Sequence, residues 1–280
     1  MNLTIATCFG GYESDYLQWW AGSLRDLYIC CEEPPEVLWL DNASSPAFHA
    51  QLLDASTWIP GYVRVLDEAL VVANPGELLP LRDRWDAAIA ADFTSRRDIQ
   101  VSLMYQRIRN DLLDRYGPGN DRWVLLLESD VLPPPDAAWR LIQAMERANP
   151  VGALCANIPY DTDRIRPMAW RMPAKRDNGP FAPEPPVDPV LWHESPEGAF
   201  DGMEIVDGIP MGCTLVRLST LAALPIQPTW PPARGYGFDQ KFCLDLRREL
   251  GLQCAIHWGV RAGHIKRVGG VYKDLRDVLV

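Results

Sequence analysis

Two acidic residues two positions apart, Glu128 and Asp130, follow directly on the apolar run Trp123 to Leu127. Carboxylates delivered at the end of a buried strand form half a site for a hard divalent cation, which completes its shell with water and ligand phosphates. At i and i+2 of an extended chain the two are expected to share a face. The same pair can also do no more than solvate a strand end and cap the next helix, so spacing alone leaves both readings open. A cation would have a use here. With 27 Lys and Arg against 37 Asp and Glu, the chain carries a formal net charge of −10, which argues against nucleic-acid binding and leaves any anionic ligand in need of local positive charge. Arg109 and the basic residues Arg164, Arg166, Arg171, Lys175 and Arg176 are the local sources. Two further residues stand out. Asp239 opens a helical pattern, where the positive helix end favours a carboxylate that can serve as a general base; the alternative is an ordinary helix N-terminal acid. His264, after Gly263, can offer a neutral imidazole to a metal, with His257 as its rival.

The elements that must position these residues can be read from apolar runs. Residues 3 to 9, Val37 to Leu40, Val63 to Leu66 and Trp123 to Leu127 each stop at small or polar residues and read as buried parallel strands. Between them, Val101, Met104, Tyr105, Ile108 and Leu112 mark one face of a helix. Ser95-Arg-Arg-Asp98 reads as its capping box, and Gly117-Pro-Gly-Asn120 stops it. A second helix starts after Pro133-Pro-Pro135, turns Trp139, Ile142 and Met145 inward, and ends at Asn149-Pro150. Residues 159 to 200 are Pro-rich and aperiodic and read as a flap that closes over a ligand. A strand over Gly212 to Val216 and a helix over Phe238 to Leu250 with Gly251 at its C′ position complete the pattern. Such alternation implies an α/β fold, a mostly parallel sheet flanked by helices, with ligands beyond the carboxyl ends of the strands.

The order of these elements resembles the GT-A fold of the nucleotide-diphospho-sugar transferases, the family 2 glycosyltransferases in particular, over most of the chain. Thr4-Ile-Ala-Thr-Cys8 is similar to the family's first strand, and Val37-Leu-Trp-Leu-Asp-Asn-Ala-Ser44 to its second strand and Asp-Asn-x-Ser turn. Arg109-Asn110 matches the family's Arg-Asn pair, Glu128-Ser129-Asp130 takes the Asp-x-Asp position, Gly235-Tyr-Gly-Phe-Asp239 resembles the segment bearing a catalytic carboxylate, and Gly263-His-Ile265 resembles the terminal strand with a metal-binding histidine. Two departures stand out: Glu128 replaces the first Asp, and Phe238-Asp239 leaves one acid where the family has a Glu-Asp pair. The resemblance implies one domain over 1–280, with a nucleotide-binding half (1–132) and an acceptor half (133–280) that includes the flap. It implies an inverting transfer of a sugar from a nucleotide diphosphate donor, a UDP-sugar, to a glycan, protein or small-molecule hydroxyl, with Mn2+ or Mg2+. Thr7, Phe9, Asp41, Asn42, Arg109, Ser129 and Gly212 would then contact the donor. Glu128, Asp130 and His264 would hold the metal, and Asp239 would be the base.

Two other readings stay open. A nucleotidyltransferase also uses a strand-end acidic metal site, but Cys8-Phe-Gly-Gly-Tyr12 lacks the basic residue its first loop normally carries. A non-catalytic binder of sugar nucleotides or glycans is kept open by Glu128. Seven scattered cysteines in mostly apolar settings, no basic leader and no apolar run of membrane length lead us to expect a cytoplasmic protein with free thiols. Of the eleven tryptophans, Trp19, Trp20, Trp39, Trp123 and Trp139 are assigned to packing, and Trp170, Trp192 and Trp230 to exposed, Pro-rich settings.

Overall fold

The structure, a computed structural model, describes residues 2–10, 13–42, 44–59, 62–65, 93–159, 168–171, 188–189, 202–226 and 237–275, with backbone only at 62, 65, 93–99, 171, 188 and 189. The first strand, β1 (Leu3–Phe9), is buried along its whole length, and α1 (Leu17–Cys30) leads to β2 (Glu36–Asp41). Helix α2 (Pro46–Trp58), capped by the Ser45 hydroxyl, connects to β3 (Tyr62–Val65). After α3 (Phe93–Tyr116) come β4 (Trp123–Leu127), the short β5 (Val131–Leu132), α4 (Ala137–Arg147) and β6 (Val151–Asn157). A two-strand ladder, β7 (Trp170–Arg171) with β8 (Asp188–Pro189), precedes β9 (Met203–Val206) and β10 (Cys213–Arg217). The remainder is α5 (Leu218–Ala223), α6 (Phe238–Leu250), β11 (Gln253–Arg261), β12 (Gly263–Val268) and β13 (Val271–Asp274).

Eight strands form the central sheet in the order β3-β2-β1-β4-β10-β6-β11-β9. Six run one way; β10 and β9 pair antiparallel with their neighbours. The chain walks outward from β1 to β3 and then returns to the other side of β1 with β4, so the β1/β4 boundary is the switch point at which such sheets bind ligands. Right-handed connections put α1 and α2 on one face there and α3 on the other. Under α1 and α2, Phe9 packs edge-on against Trp20 and stacked on Trp39, with Phe48 beside it.

Because β10 is antiparallel to β4, its first residue lies beside the last of β4, Cys213 opposite Leu127, and Met211 and Gly212 are carried to the sheet's carboxyl edge. A separate three-stranded sheet, β13-β12-β5, crosses that edge and pairs His264 with Val131. Its hairpin turns on Gly269 and Gly270, both at positive φ, the conformation a two-residue turn requires.

The apolar runs became strands, although in β3 Val63 and Arg64 are only partly buried and Leu66 lies outside the described residues, and α6 ends at Gly251 in the left-handed region. Three expectations change. Helix α3 begins at Phe93, so Ser95 lies inside it and does not cap it. In α4 the inward set is Ala138, Leu141, Ile142 and Met145, and Trp139, about 100° around the helix from Ala138, is 48% exposed. Trp19 is likewise half-exposed, whereas Trp20, Trp39 and Trp123 are buried. The flap assigned to 159–200 lies outside the described residues except at 159, 168–171 and 188–189, as do Arg164, Arg166, Lys175, Arg176, Trp192, His193, Trp230 and the side chain of Arg171.

The core is closely packed where β6 meets α6. A Cβ on Gly152 would stand 2.9 Å from Leu246 Cδ1 and from both Cβ and Cδ1 of Leu252. Gly152→Ala is expected to cost about 1–3 kcal/mol by overpacking, read as a lower urea midpoint with an unchanged slope; an unaltered midpoint would show that this seam can yield.

Candidate active site

Glu128, Ser129 and Asp130 lie in a tight turn between β4 and β5, closed by the Val131 amide donating to Glu128 O (3.1 Å). The expected strand-like sharing of one face is therefore lost. Glu128 turns toward β10: its amide donates to Gly212 O (2.7 Å), and its Oε2 lies 3.2 Å from where a Cβ on Gly212 would be. Glycine at 212 thus keeps room for that carboxylate. Asp130 turns the other way, toward β12, where Lys266 Nζ stands 3.2 Å and His264 Nε2 3.4 Å from its Oδ2.

The turn is anchored from outside. The indole of Trp20 on α1 donates to Glu128 O (3.1 Å), the Ser23 hydroxyl donates to Pro133 O (2.7 Å), and the Ile265 amide of β12 donates to Asp130 O (2.7 Å). A fourth link was not foreseen. Glu13, fully buried just before α1, accepts from the Ser129 hydroxyl (2.9 Å) and from the Gly10 amide (2.9 Å), tying the loop after β1 to the acid turn. Its only mark in the sequence is an acid shortly after the end of β1.

Three carboxylates therefore surround the end of β1. Burial first, and then Glu128 and Glu13, push the Cys8 thiol well above its usual range. Burial also opposes ionisation of Asp130, but the His264 imidazole and the Lys266 ammonium outweigh it and hold that carboxyl well below the usual carboxylate range.

His264 is buried, and its Nδ1 is 2.8 Å from Pro159 O. A carbonyl only accepts, so Nδ1 carries a proton and donates to it, which orients the ring with its Nε2 toward Asp130. That Nε2 has no hydrogen-bond partner. Two ligands of one Mg2+ or Mn2+ at bonds of about 2.1 Å can lie 3.4 Å apart, so the pair fits one ion. Among the described residues no group of three His, Cys, Asp or Glu converges on a preformed metal site. The rival His257 sits mid-strand in β11, opposite Met203 and Ala156.

The expected donor contacts fall in different places. Asp41 is buried with both oxygens engaged, Oδ1 accepting from the Ser44 amide (2.9 Å) and Oδ2 facing His49 Nδ1 (2.8 Å). His49 thus has the partner its sequence context did not reveal. The Asn42 amide donates to Phe9 O (3.1 Å). Asp41 and Asn42 therefore shape the turn after β2. Thr7 is buried with a hydroxyl that lacks a hydrogen-bond partner, and the ring of Phe9 belongs to the aromatic core. Asp239 stands on the first turn of α6, beside Phe238, whose ring lies 5.6 Å from that of Tyr105; the Tyr105 hydroxyl contacts Met211 O (3.5 Å), next to Gly212.

Arg109 does not join this group. Its guanidinium donates to Leu221 O and to Ala222 O (2.7 Å) at the end of α5. That helix follows the last residue of β10, Arg217, which pairs with the first residue of β4, so Arg109 works at the opposite edge of the sheet from Asp130. It satisfies helix-terminal carbonyls, and Arg109→Ala is expected to lower stability by about 1–3 kcal/mol while leaving nucleotide affinity unchanged. Denaturant melts and a UDP titration on the same variant check both halves, and a large loss of UDP affinity without loss of stability would restore the ligand role.

No protein-family model matches the sequence, and no curated protein matches it. Among solved structures, residues 1–349 of S. aureus TarS in complex with UDP-GlcNAc is similar at 11% identity, covering 91% of this chain and 56% of that one, with a TM-score of 0.48. The same protein with UDP gives 14% identity, 91% and 57% coverage and a TM-score of 0.45. A197 from STIV gives 10% identity, 94% and 85% coverage and a TM-score of 0.44. The chain thus spans about half the length of the TarS 1–349 structures it resembles, and its chemistry is read from its own residues.

Proposed function

We propose that the chain is a metal-dependent glycosyltransferase that takes a nucleotide diphosphate sugar, a UDP-sugar, at the β1/β4 switch point and passes the sugar to a hydroxyl acceptor with inversion. The observation that carries this reading is the juxtaposition of His264 Nε2, which makes no hydrogen bond, and Asp130 Oδ2 across 3.4 Å, beyond the carboxyl end of the sheet. Asp130 and His264 would hold the ion, with Glu128 contributing through water. Bound there, Mg2+ or Mn2+ would neutralise the charge that develops on the departing nucleoside diphosphate.

The remaining roles belong to the chain. Asp41, Asn42 and Ser129 hold the two turns against which the nucleoside would lie, with Thr7 beneath them. Gly212 would meet the donor through its backbone, since the space a Cβ would take is already lined by Ile158, Glu128 and Val131. Asp239, on the first turn of α6, would take the proton from the acceptor hydroxyl as its oxygen attacks the anomeric carbon and the bond to the diphosphate breaks. The 1–132 and 133–280 halves supply the nucleotide and acceptor sides respectively. Among the described residues no helix is long and apolar enough to cross a membrane.

Release of free UDP from UDP-sugars, measured with and without Mn2+ over a panel of hydroxyl acceptors, tests the reading. Asp130→Asn and His264→Ala are expected to lower turnover roughly a hundredfold or more, and Asp239→Asn roughly 10²–10⁴-fold in kcat with less effect on KM. UDP that binds without any turnover would favour the non-catalytic binder, and full activity in Asp130→Asn would remove the proposed site altogether.

A further inference from the structure

The surroundings of Asp130 already contain a cation. Lys266 lies two residues beyond His264, so both side chains project from one face of β12. Its Nζ stands 3.2 Å from the same carboxylate oxygen, Oδ2, that faces His264 Nε2 at 3.4 Å. One oxygen is therefore addressed from two sides, by an ammonium and by an imidazole nitrogen. The Lys266 side chain is 37% exposed on a flexible stem, so it can leave as readily as it came. A divalent ion bridging Asp130 and His264 would lie within a few ångström of that ammonium, and like charges at such range repel enough to change an affinity several-fold even in a water-like dielectric.

We infer that Lys266 is a tethered competitor of the divalent ion. It neutralises Asp130 while no ligand is bound, and it passes from the carboxylate to a phosphate oxygen when ion and nucleotide arrive together. This rests on the reading of Asp130 and His264 as ion ligands. The ion alone must displace the ammonium and gains little. With a nucleoside diphosphate present, the displaced ammonium has a new partner, so the two ligands bind with positive coupling, each raising the affinity for the other. A Lys266 that served only to hold β12 against the acid turn would affect stability and leave ion affinity alone.

The test is Mn2+ binding by the full chain, followed through the electron paramagnetic resonance signal of free Mn2+, with and without saturating UDP. Lys266→Met, Lys266→Arg and Asp130→Asn are compared with the unaltered protein, and thermal melts verify that each variant is folded. Without UDP, Lys266→Met is expected to bind Mn2+ about fivefold tighter, Lys266→Arg to stay close to the unaltered protein, and Asp130→Asn to lose the ion. UDP should then tighten Mn2+ binding by a larger factor in the unaltered protein than in Lys266→Met. Equal or weaker Mn2+ binding by Lys266→Met, with Asp130→Asn still losing the ion, overturns the competition while leaving the ion site intact. An equal effect of UDP on both proteins overturns the transfer to phosphate. Absence of Mn2+ binding from the unaltered protein and Lys266→Met alike overturns this inference together with the metal reading it rests on.

Discussion

The backbone of the turn from Glu128 to Val131 is the constraint on which the rest of the site depends. Its carbonyls and amides are claimed by α1 through Trp20, by β10 through Gly212 and by β12 through Ile265. Each of those bonds fixes an element as well as the turn. Removing one would free a buried polar group with nothing to replace its partner, which makes the arrangement costly to distort. Two acids two residues apart can consequently face opposite ways, Glu128 toward Gly212 and Asp130 toward His264, although an extended chain would have aligned them.

Charge is distributed around that turn with equal economy. Glu13, Glu128 and Asp130 all act on the Cys8 thiol, and three negative groups near a buried sulfur would repel one another without compensation. Glu13 is answered by two neutral donors, Ser129 and the Gly10 amide, while Asp130 is answered by a full positive charge. Neutral donors stabilise a carboxylate without attracting an anion, whereas an exposed ammonium can change partners. The distinction sets Glu13, joined to neutral donors, apart from Asp130, which faces a partly exposed ammonium.

Much of the architecture was legible because buried strands and amphipathic helices repeat their pattern locally. The runs 3 to 9 and 123 to 127 and the Met104, Tyr105, Ile108, Leu112 stripe are of this kind. Asp130 and His264 were legible as a pair only through a resemblance of element order, since no local pattern joins residues so distant. Glu13, Lys266 and the true partner of Arg109 were not legible. Their contacts cross 116, 136 and 112 residues of chain and leave no periodic trace. Trp19 and Trp139 were misplaced for a different reason: each sits one position from the apolar stripe of its helix, where hydrophobicity gives no direction. The antiparallel β10 was read as a strand, but its direction became visible only in the ladder with β4, and that direction is what delivers Gly212 to the site.

The three residues that complete the surroundings of Asp130, namely His264, Ile265 and Lys266, lie on a strand made long after the turn they serve. As the chain leaves the ribosome, β1, β2 and β4 can assemble while Asp130 still has no counter-charge and its carbonyl no donor. Docking of β12 on β5 is therefore the step that brings both His264 and Lys266 to Asp130.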